Sequence, residues 1–297
     1  MENEIENADP EFYTVGDLFT ADKEIVDSLK LEYSSATPFE ENLVRDTFNI
    51  VRDEMLNKYG DYIPDDARER LLSNKDNING TNHVLILSEE DYQSFNDEWL
   101  PKLQQLNKQE QLPPLQPGGM WLRMGQVIVV CDMTEVAKRN WESSKKYFEN
   151  YGQIDEEAMI NFIKNSTVTA LLTHETIHSC QGSIEHMDRG RDMYIRVALD
   201  ECGVHYLCDE ILKTKFPRMV SAPQQFDKER IEKFQDILKK YGDDAYGVLF
   251  QNVPKGVAEK EHYESLKKKI YSEFTEEDIV RLGIADRLTS KFFENAS

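Results

Sequence analysis

His174 and His178 stand four residues apart in Thr173-His174-Glu175-Thr176-Ile177-His178, with Glu175 directly after the first histidine. On a helix, residues i and i+4 share a face, with Cβ atoms about 5–6 Å apart. Two imidazoles so placed can converge on one tetrahedral zinc ion, with Zn–N near 2.0–2.1 Å. Glu175 is turned by about 100° around the helix from His174, so it need not be a ligand. It can instead take a proton from a water at the open position of the ion. The chemistry such residues could do is metal-assisted hydrolysis.

A catalytic zinc usually keeps three protein ligands and one open position. The spacing HExxHxxGxxH would put glycine at 181 and histidine at 184, but Gln181 and Ile184 stand there. His186, Asp188, Asp192 and Asp200 are candidates for the third ligand; Glu201 ranks first. It lies in Val197-Ala198-Leu199-Asp200-Glu201-Cys202-Gly203-Val204-His205-Tyr206-Leu207, with apolar residues on both flanking turns. A carboxylate on such a face is costly to bury without a cation or dense hydrogen bonding. The 22 residues from 179 to 200 suffice for a loop and half a helix to fold back. A surface glutamate beside Asp200 is the alternative. His205, four residues after Glu201, leads the candidates for stabilising an oxyanion, ahead of Tyr206, Tyr194, Tyr246 and His262.

The elements that must position these groups are legible from periodicity. Between Asn165 and Gln181 the only charged residue is Glu175, and no proline interrupts. A helix is expected over Asp155–Gln181, closed by Gly182. A second, strongly apolar one is expected over Met193–Leu212. Earlier, Thr37-Pro38-Phe39-Glu40 reads as a helix start, followed by Leu43, Val44, Phe48, Val51, Met55 and Leu56 up to Gly60. Short strands are expected near Phe12–Val15 and His83–Leu87, and a helix over Glu89–Gln105. Met120–Met124 and Gln126–Cys131 flank Gly125 as a hairpin whose second strand is apolar on both faces. Helices follow over Thr134–Tyr151, Phe226–Tyr241, Ala258–Phe274 and Thr275–Arg287, with Lys267, Lys268 and Lys269 a solvated run. The expected layout is α+β, with strands before residue 135 and helices after.

On His174–His178 and Ala198–Leu207 the chain resembles the gluzincins, zincin metallopeptidases with HExxH and a glutamate on a second helix. The resemblance implies a zincin-like fold: a small N-terminal mixed sheet with an edge strand, an active-site helix, and a mostly helical C-terminal part carrying the third ligand. It implies a Zn2+ cofactor held by His174, His178 and Glu201, with Glu175 as general base. It also gives Gln126–Cys131 the part of the edge strand to which an extended peptide substrate pairs. Many gluzincins have glycine directly after the ligand glutamate; here Cys202 intervenes before Gly203. The thermolysin-like branch has an aspartate where this chain has His205. The expected division is an acidic segment 1–36, a unit 37–182 with the HExxH helix, and a helical unit 183–297.

The chain carries 35 Lys+Arg against 56 Asp+Glu, a net charge of −21. Nucleic acid and anionic membrane surfaces would repel such a chain, so neither is an expected partner. With 39% hydrophobic and 10% aromatic residues it can still form a packed core. The longest apolar run, Val127-Ile128-Val129-Val130-Cys131, is far short of the roughly 20 residues a membrane span needs. The acidic start and four cysteines without a CxxC pair suggest a reducing, cytoplasmic setting. Cys180, Cys202 and Cys208 are expected to be buried free thiols. The reading is a zinc-dependent peptidase acting on a peptide or protein. The alternatives are a regulatory zincin specific for one partner, without general proteolysis, or a non-enzymatic acidic helical interaction protein with a chance HExxH. The stretch Glu201–Leu212 resembles the repressor-cleaving zincins of bacteria, and the first alternative is drawn from that resemblance.

Overall fold

Val44, Phe48, Val51 and Met55 repeat at helical spacing and are buried along α1, Pro38–Tyr59. The computed structural model describes residues 38–73, 84–94, 97, 119–122, 127–131, 133–147, 154–182, 191–217 and 228–282. After α1 come α2 (Asp65–Ser73), β1 (Val84–Leu87), α3 (Glu89–Ser94), β2 (Gly119–Leu122), β3 (Val127–Cys131) and α4 (Thr134–Ser144). Then follow α5 (Glu156–His178), α6 (Arg191–Lys215), α7 (Lys228–Tyr241), α8 (Asp244–Leu249), α9 (Val257–Tyr271) and α10 (Glu276–Arg281). The described residues are mostly helical, with one small sheet. The expected zincin-like α+β arrangement is not shown among them. The strand near Phe12–Val15, the segment 1–36, and His83, His186 and Asp188 lie outside the described residues. So do the expected helix beyond Ser94, except for Asp97, and the last expected turn beyond Leu282.

The sheet has the order β1-β3-β2. β1 runs parallel to β3, with Val84 opposite Ile128, and β2 runs antiparallel to it, with Leu122 opposite Val127. The hairpin is where the sequence puts it, but the edge is not. Val127–Cys131 is the central strand, flanked on both sides, and β2 is the antiparallel edge among the described strands. The reason lies in the strand itself: Ile128, Val130 and Cys131 are buried in a run with no polar residue, and such a strand needs cover on both faces.

α5 packs against α1, α4, α6, β2 and β3. It begins at Asp155, whose carboxylate accepts from the Ala158 N–H at 3.1 Å, and Glu156 and Glu157 suit its positive end. Its small polar residues serve burial: Thr173 donates to the Thr169 carbonyl at 2.8 Å and Thr176 to the Leu172 carbonyl at 2.6 Å. Hydroxyls satisfied on their own helix let it be enclosed on several sides. Past its end, Gly182 donates to the Phe250 carbonyl at 2.9 Å. A Cβ at 182 would lie 2.8 Å from Pro64 Cγ and 3.2 Å from the Gln251 carbonyl oxygen.

α6 is fixed by a second close approach. A Cβ on Gly203 would stand 2.5 Å from Cδ1 of the buried Leu249, so glycine lets α8 press onto α6. Arg196 reinforces the contact, donating to the Val248 and Leu249 carbonyls at 2.7 and 2.5 Å and to Asp200 at 3.0 Å. A cation at these last carbonyls is favoured by the helix dipole. One buried apolar cluster extends from Val44 to Leu282. α2 and α8 are helices the periodicity did not announce. Among the described residues, no helix is long and apolar enough to cross a membrane.

Candidate metal centre

α5 and α6 cross so that His174, His178 and Glu201 present ligand atoms that all lie within 4.8 Å of one another. The two Nε2 atoms of His174 and His178 are 3.1 Å apart, and Glu201 Oε1 is 3.7 Å from His178 Nε2. Ligands of a tetrahedral ion with bonds of about 2.0–2.1 Å are separated by about 3.3 Å, the tetrahedron edge. The two spacings measured from His178 bracket that value, and the separation of His174 from Glu201 is within 4.8 Å. These donors, imidazole and carboxylate, are the set zinc takes up.

His174 is half-buried, and burial first, then the neighbouring His178, hold its pKa well below the ordinary value. It therefore stays neutral, with a lone pair free for a metal. Glu175 is buried, and its charge acts on Cys208, which burial first, then Asp209 and Glu175, push well above the usual thiol range. Glu175 follows His174 directly on α5, turned by about 100° around the helix from it. Cys180, Cys202, Cys208 and also Cys131 are buried free thiols.

Neither of the other candidates for third ligand among the described residues is brought in. Asp192 is exposed, and Asp200 turns to Arg196. Among the candidate oxyanion donors, Tyr206 packs on Phe234 with ring centroids 5.5 Å apart, and Tyr246 on Tyr59 at 4.9 Å. Tyr194 is buried in the first turns of α6, and His262 is exposed on α9. His205 does reach the cluster: its ring lies edge-on to His174, with centroids 4.9 Å apart. Its Nε2, however, faces Arg230 Nη1 at 2.9 Å and Glu201 Oε2 at 3.5 Å. Arginine can only donate, so Nε2 accepts and the ring hydrogen sits on Nδ1.

Arg230 is the residue the sequence reading missed. Its Nη1 donates to Glu201 Oε2 at 3.3 Å, while Nε and Nη2 donate to the Leu282 carbonyl at 3.1 and 2.6 Å. A signal was present: Arg230, Phe234 and Ile237 share the buried face of α7 at i, i+4 and i+7. A guanidinium in an apolar stripe needs an acceptor. Arg230 also supplies the cation that the burial of Glu201 demands. Set beside protein-family models, curated proteins and solved structures, the chain matches none.

Proposed function

We propose that the chain is a zinc-dependent peptidase of the zincin type, with His174, His178 and Glu201 as ligands. The observation that carries this reading is the donor spacing: two imidazole nitrogens and a carboxylate oxygen at 3.1 and 3.7 Å, drawn from two helices. Bound there, zinc supplies Lewis acidity toward a carbonyl and lowers the pKa of a water to about 7. Glu175, a buried carboxylate directly after His174 on α5, would accept the proton of the attacking water and return it to the leaving amine. An extended peptide or protein substrate pairs with the antiparallel edge β2, which packs on α5 beside β3.

Arg230 favours a second reading. Because it pairs with Glu201, the cluster is charge-balanced without an ion, as it would be in a non-enzymatic helical module. Elemental analysis of the purified protein separates the two, together with hydrolysis of an unstructured polypeptide such as casein. The peptidase reading requires about one zinc per chain, loss of zinc in His174→Ala, and a Glu175→Gln variant that keeps zinc while turnover falls by about 10²–10⁴. Wild-type protein that takes up no zinc refutes it. Zinc without casein cleavage points to a partner-specific regulatory zincin.

A further inference from the structure

We propose that Arg230 is a positioning residue of this centre: it holds Glu201 Oε2 and His205 Nε2, and so keeps the metal site at three protein ligands. This inference rests on the metal-binding reading above. A carboxylate offers two oxygens, and here they are divided. Oε1 faces His178 at 3.7 Å, while Oε2 is engaged by Arg230 at 3.3 Å. An oxygen held by a charge-assisted hydrogen bond is withdrawn from chelating an ion, so Glu201 presents one ligand atom.

The same guanidinium nitrogen, 2.9 Å from His205 Nε2, occupies the lone pair that histidine would need to bind a metal. Without that bond, His205 is well placed to become a fourth ligand. It is one turn from Glu201, and its ring is 4.9 Å from that of His174. Four protein donors make a closed structural zinc site, whereas three leave the open position hydrolysis requires. Arg230 can do this because the guanidinium is planar and rigid. With Nε and Nη2 both on the Leu282 carbonyl, the direction of Nη1 is set by backbone at the end of α10. α10 is in turn braced on α7 by Lys233, which donates to Asp278 at 2.9 Å and to the Glu273 carbonyl at 2.6 Å. The coordination of the centre is thus decided from a segment 52 residues beyond Arg230.

The test uses the full chain stripped of metal and reloaded with Co2+, whose visible spectrum reports the number and kind of donors without turnover. Arg230→Met and Arg230→Lys are compared with wild type, circular dichroism confirming that each is folded. Both variants are expected to give altered spectra as His205 joins the ion. Adding His205→Ala to either should return the spectrum toward wild type, with cobalt affinity about 10–100-fold weaker because Glu201 has lost its support. Arg230→Lys decides if Arg230→Met does not fold, since it keeps the buried cation but not the fork. Spectra and affinities of the folded Arg230 variants that superimpose on wild type overturn the inference. If wild type binds cobalt and His174→Ala does not, that result leaves the metal-binding reading standing. Wild type that binds no cobalt overturns both.

Discussion

Replacing Glu201 by glutamine changes one atom and removes the charge on which two partners depend. In the metal-free protein its carboxylate lies 3.3 Å from Arg230 Nη1, with both side chains nearly buried. At an effective dielectric constant of about 20 that pair is worth roughly 5 kcal/mol of Coulomb energy. Part of this is offset by the cost of desolvating the two groups. Removing one partner alone leaves the other buried and uncompensated, for a net loss of about 3 kcal/mol. For a chain of 297 residues that corresponds to a fall in Tm of about 5 °C. The double variant Glu201→Gln/Arg230→Met should recover much of it. Zinc adds a second, separable quantity. On the proposed metal site, zinc at 100 times its Kd should stabilise wild type by about 2.7 kcal/mol and add almost nothing to the glutamine variant. Scanning calorimetry with chelator and with zinc, alongside competition against a chromophoric chelator, measures both. A Glu201→Gln protein with wild-type Tm and wild-type zinc affinity would refute both the ion pair and the ligand assignment.

Two further expectations concern the scaffold. Gly203→Ala places a Cβ 2.5 Å from the buried Leu249 Cδ1, and should cost about 1–3 kcal/mol in urea unfolding despite the better helix propensity of alanine. An unchanged midpoint would show that α8 does not press on α6. Burial alone would raise the pKa of Asp278, but the Thr275 backbone N–H, then Lys233 and Arg281, pull it far below its ordinary 3.8. A carboxyl depressed on folding contributes stability above the unfolded pKa and loses it as pH falls toward the folded one. Stability should therefore decline below about pH 4–5 in wild type and less steeply in Asp278→Asn. Parallel pH profiles of the two in guanidinium titrations would contradict this.

The helices that carry the centre were legible because their period is long and their interruptions few. α5 shows one charge between Asn165 and Gln181 and begins at an aspartate cap, and Glu201 stood out as a carboxylate between apolar turns. What failed did so for physical reasons. β3 was given an edge position by resemblance, although its unbroken apolar run already argued for the middle of a sheet. α8 has six residues, too few for periodicity to register, and contains Gly247. Arg230 acts on Glu201 across 29 residues and on the Leu282 carbonyl across 52, and no local pattern reports such distances.

From sequence the buried carboxylate calls for a cation, and Arg230 already supplies one. The discriminating feature is the pair of histidines. A lone pair of imidazoles 3.1 Å apart can be joined by one N–H···N hydrogen bond, and such a bond needs no third group. The third group is nevertheless present, with Glu201 Oε1 held 3.7 Å from His178 while Arg230 takes the other oxygen. If the carboxylate served only to pair with Arg230, it would gain most by offering both oxygens to the planar fork. The guanidinium instead spends Nε and Nη2 on a backbone carbonyl and meets the carboxylate through Nη1. That division leaves a carboxylate oxygen facing the histidine pair, at close to the spacing that one small divalent cation imposes.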